Sequence, residues 1–157
     1  MTDEQAAVRE RIGTAIRDYL ALLEPRDGVG NPSLYDLAKA LDALVQVYHH
    51  TADVETDTDD LGPRVEERSL LDKAAAAFPD LGLYALVEPD GGPDQLCGMS
   101  IATGDLAEIA VDLIEVLELF DLDRPNDAIW SFCWGYRFHW GRHLHELRVY
   151  LHALAAW

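Results

Sequence analysis

Apolar residues recur at three- and four-residue intervals along most of the chain, and each run predicts a helix. Val8, Ile12, Ala15, Ile16, Tyr19, Leu20 and Leu23 mark one face of a first helix from about Asp3 to Leu23. "PRDGVGN" then interrupts the pattern with Pro25, Gly28 and Gly30. Asn31 followed by Pro32 reads as a capping side chain and a residue pre-set for the first turn. A second helix follows to about Tyr48, with Leu34, Leu37, Ala38, Leu41, Leu44, Val45 and Tyr48 on one side. "ERSLLDKAAAAF" gives a short third helix. The fourth, Thr103 to about Phe120, carries its apolar face on Leu106, Ile109, Ala110, Leu113, Val116, Leu117 and Phe120. The fifth starts near Asn126 and runs to Ala155, about 45 Å if unbroken.

Two segments lack this period. The polar, acidic connection at about 50–66 is expected on the surface and mobile. "LYALV" suits a strand, but no partner for it is evident and a lone strand leaves its backbone groups unpaired. An extended loop is weighed equally there. The expectation is an all-α, single-domain bundle over 1–157, with about five helices, a long C-terminal helix and an irregular segment near 78–102.

Composition narrows the function classes. The 157 residues are 49% hydrophobic, and no apolar run approaches the roughly 20 residues that span a bilayer. The beginning, "MTDEQAAVRERIG", has no apolar signal core. Cys97 and Cys133 make no disulfide framework and fit a reducing compartment. A soluble, cytoplasmic protein is expected. Its net charge of −17 would repel phosphate, so nucleic acid and anionic membranes are disfavoured as partners. Arginine outnumbers lysine ten to two, which with abundant alanine suggests a high-GC bacterial source.

Candidate chemistry begins with the acids. Glu55, Asp57, Asp59 and Glu66 have the outline of a calcium loop, but Asp60 stands where such a loop needs glycine, and Gly62 where it needs an apolar residue. A solvated acidic loop is the simpler reading. On the fourth helix, Asp105, Glu108, Asp112 and Glu115 fall within about 80° of one another. Like charges so placed need something positive facing them. The stripe has the outline of a magnesium-holding helix in all-α nucleotide pyrophosphohydrolases, but an earlier ExxE partner is missing. Arg137, Arg142 and Arg148 are the expected cations, since the guanidinium fork matches carboxylates.

The last helix holds the densest chemistry. On a continuous wheel, Ile129, Cys133, Tyr136, Trp140, Leu144, Leu147, Leu151 and Leu154 fall within about 80° and form a core face. Trp130, Trp134, Phe138, His145, Arg148 and His152 lie opposite, an aromatic and basic surface suited to a ligand or protein partner. His139, His143 and Glu146 share a third side with H-x3-H-x2-E spacing, which can put two imidazoles and a carboxylate around one metal. The plainer reading is a hydrogen-bonded structural network with Glu146 paired to Arg142. His49 and His50 are the spare histidines for a fuller zinc set. Gly135 and Gly141, each costly inside a helix, predict a close crossing or a kink.

The segment "FCWGYRFHWGRHLHELRVYLHAL" resembles the bacterial DUF5063 family of unknown function. The matching positions are Trp140, Gly141, His143, Leu147, Arg148 and His152. The resemblance implies that this helix is the family signature, and it carries over no catalytic residue. The aromatic and basic face in so acidic a protein makes a non-enzymatic interaction module the leading expectation, with a protein partner or a second copy on that face. A metal-dependent hydrolase and a binder of small anions are the alternatives. No cofactor is expected beyond a divalent metal under the hydrolase reading.

Overall fold

A computed structural model describes residues 3–26, 28, 30–58, 65–87, 90–92, 94, 98–154 and 156. Six helices and one short hairpin are found among them: α1 (Asp3–Leu23), α2 (Leu34–His49), α3 (Glu67–Ala77), β1 (Leu83–Leu86), β2 (Gly98–Ile101), α4 (Ala102–Asp121), α5 (Pro125–Phe138) and α6 (Trp140–Ala153). The chain is mostly helical, as its periodicity predicts. No described helix is long and apolar enough to cross a membrane.

α4 is the central element and packs against α1, α3, α5 and α6, while α2 lies on α1 and α6. Its apolar stripe explains the position: Leu106, Ile109 and Leu113 are fully buried, in one core with Ile12, Ile16, Leu37, Leu41, Leu144 and Leu147. Tyr19 on α1 is also fully buried, and its hydroxyl donates to the Leu106 carbonyl at 2.7 Å, which satisfies its one polar atom.

Several expectations need correction. The second helix is capped by Ser33 rather than by Asn31 and Pro32. The Ser33 hydroxyl oxygen accepts from the Asp36 backbone N–H at 3.0 Å, and Asp36 reaches back to the Ser33 N–H in a capping box. "LYALV" has a partner after all. β1 pairs antiparallel with β2, Leu83 opposite Ile101 and Tyr84 opposite Ser100. The partner strand, "GMSI", was hidden because its alternation is short and carries a glycine. Tyr84 and Ser100 turn inward while Leu83, Met99 and Ile101 stay exposed.

The acidic connection is pinned at residues 57 and 58. The Asp57 and Thr58 backbone N–H groups donate to Asp127 Oδ1, at 2.7 and 3.3 Å, and Arg124 Nε donates to Asp127 Oδ2 at 2.7 Å. Burial alone would raise the Asp127 carboxyl. Arg124 and the two amides outweigh it and hold the group below the usual carboxylate range. Asp59, Asp60 and Gly62 of the calcium-loop outline, and Cys97, lie outside the described residues.

The largest correction is that the expected long C-terminal helix is two helices. It breaks at His139 (φ −143°, ψ −90°), where the His139 N–H still bonds the Gly135 carbonyl but the next residues start α6. Gly141 makes the elbow this tight, because a Cβ there would lie 1.9 Å from the Tyr136 carbonyl oxygen. The turn buries Trp140 completely against Phe132, with ring centroids 5.2 Å apart. A kink at a glycine was legible, but helical period alone does not show a restart in nearly the same phase.

Candidate metal centre

The elbow sets its histidines against the acidic stripe of α4. His139 sits at the junction itself and His143 one turn into α6. His139 Nδ1 lies 2.7 Å from Asp112 Oδ2, and His143 Nδ1 lies 2.9 Å from Asp105 Oδ1. Both Nε2 atoms turn to one oxygen, Glu108 Oε2, at 2.9 Å from His143 and 3.6 Å from His139. The imidazole rings meet edge to face with centroids 5.2 Å apart. Glu108, His139 and His143 thus offer three ligand atoms all within 4.8 Å of one another.

Asp105 is the anchor of this arrangement. It is 2% exposed, and Tyr84 and Ser100 of the hairpin donate to it at 2.6 and 2.9 Å. With His143 that makes three hydrogen-bonding side chains around a buried carboxylate, so its charge is compensated without solvent. Burial, followed by the bond to Asp105, lifts the Tyr84 hydroxyl far above its ordinary range and keeps it a donor. The bond to Asp105 raises the His143 pKa, against burial and with help from Glu108. Two bare acceptors 2.9 Å apart repel, so His143 Nε2 and Glu108 need a proton or a cation between them. Glu115, further along the stripe, has its carboxyl raised by burial and then by Asp112 and Glu118.

Of the expected trio His139, His143 and Glu146, the two histidines come together and Glu146 does not join them. Glu146 Oε1 accepts from Arg142 Nε at 2.8 Å, as the plainer reading had it, and Glu108 of the acidic stripe stands in the third place. The arginines were expected to face the stripe; the contacts found there are those of His139 and His143. Arg148 forks onto Asp42 of α2 at 2.7 and 3.0 Å, and Arg137 bonds Tyr48 and Asp53. His49 and His50 do not join the cluster, and His50 Nδ1 lies 2.7 Å from the Gln46 carbonyl. Sequence reasoning missed Tyr84 and Ser100, and only a recognised β1–β2 pairing would have pointed to them.

The aromatic and basic face divides at the elbow. Trp130, Trp134 and Phe138 form an exposed ladder on α5, with successive ring centroids 5.8 and 5.3 Å apart. On α6, His145 Nε2 is 2.8 Å from the Tyr136 hydroxyl, Arg148 is held on Asp42, and His152 is exposed near the end of the helix. Cys133, beside the ladder, is buried with its thiol pushed up to about 11 by that burial, a poor nucleophile.

No curated protein shows significant similarity to the chain. Its fold is similar to the crystal structure of protein BF1032 from Bacteroides fragilis, a structural-genomics target, with a TM-score of 0.71 over 94% of this chain and 91% of that one. The two are 17% identical, so the likeness speaks for the fold alone. The profile of DUF5063, a domain of unknown function, matches residues 7–156, and the chain therefore belongs to the DUF5063 family.

Proposed function

We propose that the protein binds one divalent transition-metal ion through His139 Nε2, His143 Nε2 and Glu108. One observation carries this reading: both histidines present Nδ1 to an aspartate and Nε2 to the same carboxylate oxygen. That is how carboxylates orient metal-binding imidazoles, with the proton fixed on the far nitrogen and the near lone pair aimed inward. Metal bonds of about 2.1 Å at tetrahedral angles hold ligand atoms about 3.4 Å apart. The 2.9 and 3.6 Å separations from Glu108 Oε2 bracket that value, and all three ligand atoms lie within 4.8 Å of one another. Two imidazoles and a carboxylate suit zinc and its neighbours better than magnesium or calcium.

Charge supports an exchange of protons for metal. Asp105, Glu108 and Asp112 face the two imidazoles, so three acidic side chains surround the place a divalent ion would take. An ion held by these three side chains would supply the chemistry hydrolysis requires, activation of a water molecule near neutral pH. The test is calorimetric titration of chelator-treated protein with zinc. Binding of one zinc per chain, with uptake of the released protons by the buffer and loss of binding in Glu108→Gln, is expected. No stoichiometric binding and no melting shift with zinc or manganese would refute the reading.

A second reading rests on the aromatic ladder. Trp130, Trp134 and Phe138 are 39, 46 and 67% exposed on one helix face, the kind of apolar patch that marks contact with a partner or a second copy. Light scattering across a concentration series tests it. A concentration-dependent dimer lost in Trp134→Ser is expected, and a strict monomer at high concentration removes the self-association form.

A further inference from the structure

β1 and α6 line a cleft of about 390 Å³. Its size falls in the range of small-molecule sites. Leu86, Val87 and Val149 supply an apolar surface, and Val87 and Val149 are 66 and 74% exposed. Apolar side chains left open to water around a concavity lose nothing and gain contact when an apolar molecule fills it. The charged side chains in the wall, Arg142 and Glu146, are paired with each other at 2.8 Å, so the wall presents compensated charge to an occupant. A net anion or cation would have to break that pair. The occupant that fits is neutral and largely apolar.

Tyr84 gives the cleft a second property. It belongs to the cleft lining, its ring stacks on Tyr150 with centroids 4.8 Å apart, and its hydroxyl donates to Asp105. Asp105 in turn bonds His143 through its other oxygen. A molecule packed on Tyr84 therefore stands two hydrogen bonds from an imidazole of the proposed metal centre. Asp105 is buried and held by Tyr84, Ser100 and His143, so displacement of the Tyr84 hydroxyl falls on the bonds to the other two, one of which is His143.

We propose that this cleft binds a neutral, mostly apolar small molecule of one or two rings, and that its occupancy is communicated to His143 through Tyr84 and Asp105. Neither Val149 nor Tyr84 is a proposed metal ligand, and the test uses metal-free protein, so its failure is distinguishable from failure of the metal reading.

The probe is N-phenyl-1-naphthylamine, uncharged and fluorescent in apolar surroundings, added to the metal-free full chain. Saturable fluorescence is expected, with affinity reduced roughly tenfold or more in Val149→Glu, which sets a charge in the apolar wall. Val149 is exposed, so that variant is expected to fold, and its circular dichroism checks this. The second measurement follows the His143 ring resonances by NMR. They shift with probe in the wild type and hold still in Tyr84→Phe, which keeps the ring and loses the hydroxyl. Absence of saturable binding, or binding unchanged in Val149→Glu, overturns the cleft as the site. Binding that leaves the His143 resonances in place, or moves them equally in Tyr84→Phe, overturns the relay.

Discussion

Gly141→Ala separates the elbow from an ordinary helix more sharply than any other single change. In a continuous exposed helix the substitution stabilises by about 1 kcal/mol, since alanine has the better helix propensity. At the elbow the new methyl would sit 1.9 Å from the Tyr136 carbonyl oxygen, about 1.5 Å short of ordinary contact. Backbone has to move, because the Cβ has no rotamer to escape into, and the Tyr136 carbonyl belongs to the turn that ends α5. Overpacking of this kind costs about 1–3 kcal/mol and more where relaxation is blocked. The expected net effect is destabilisation by about 2 kcal/mol, or a melting point about 4–8 °C lower for a chain of this size. Gly104→Ala calibrates the experiment. It lies in α4, its nearest contact would be an ordinary 3.8 Å from Ile101 Cβ, and it should be neutral or stabilising by up to about 1 kcal/mol. Urea denaturation of both variants reads the difference, and zinc calorimetry reads the elbow directly, because His139 and His143 straddle it. A Gly141→Ala protein as stable as the wild type would refute the elbow.

Other expectations follow from the centre and its surroundings. Asp105→Asn should weaken zinc binding by about 10- to 100-fold by calorimetry although Asp105 is not a ligand, because it orients His143; equal affinity would show that the contact does nothing for the imidazole. Metal-free protein should lose stability as pH rises. The His143 pKa is raised above its unfolded value of about 6.5, so its contribution is complete below that pH and disappears through the higher folded pKa. Urea midpoints from pH 6 to 9 check this, and His143→Gln should flatten the slope. At the acid end the depressed Asp127 carboxyl acts oppositely: its contribution is present above the ordinary carboxylate pKa and fades as pH falls through the folded value. A double-mutant cycle on Arg148 and Asp42 should give about 1 kcal/mol or less, since that pair is partly solvated.

Period-3.6 patterning placed α1, α2, α3 and α4 closely, because each buries a single stripe against neighbours that cover it. It also identified most of the core face of the last segment: Ile129, Cys133, Trp140, Leu144, Leu147 and Leu151 are all buried, while Leu154 is open. That success concealed the elbow. α6 resumes with its leucines still inward, so the wheel remains right for the core and misleads about the opposite face, where Trp134 and Arg148 part company. Half of the candidate centre was legible, since two histidines four residues apart and a stripe of acids are local patterns. Their meeting was not, because the identity of the facing cation depends on which helix lies across α4. Arginine is the stronger expectation for a carboxylate partner in general, and here the elbow delivers imidazoles to that place instead.

The elbow has a consequence for how the fold is assembled. Glu108 comes from the central helix, His139 from the junction and His143 from the helix after it, so no fragment that lacks α4 or α6 carries the ligand set. An ion bound there recognises the docked arrangement and neither the unfolded chain nor a loosely packed globule. By mass action it then adds about 2.7 kcal/mol to stability at a hundredfold excess over its dissociation constant. If the proposed ion binds, its occupancy gauges how well α6 is docked on α4, and protein without it would be the less securely fastened form.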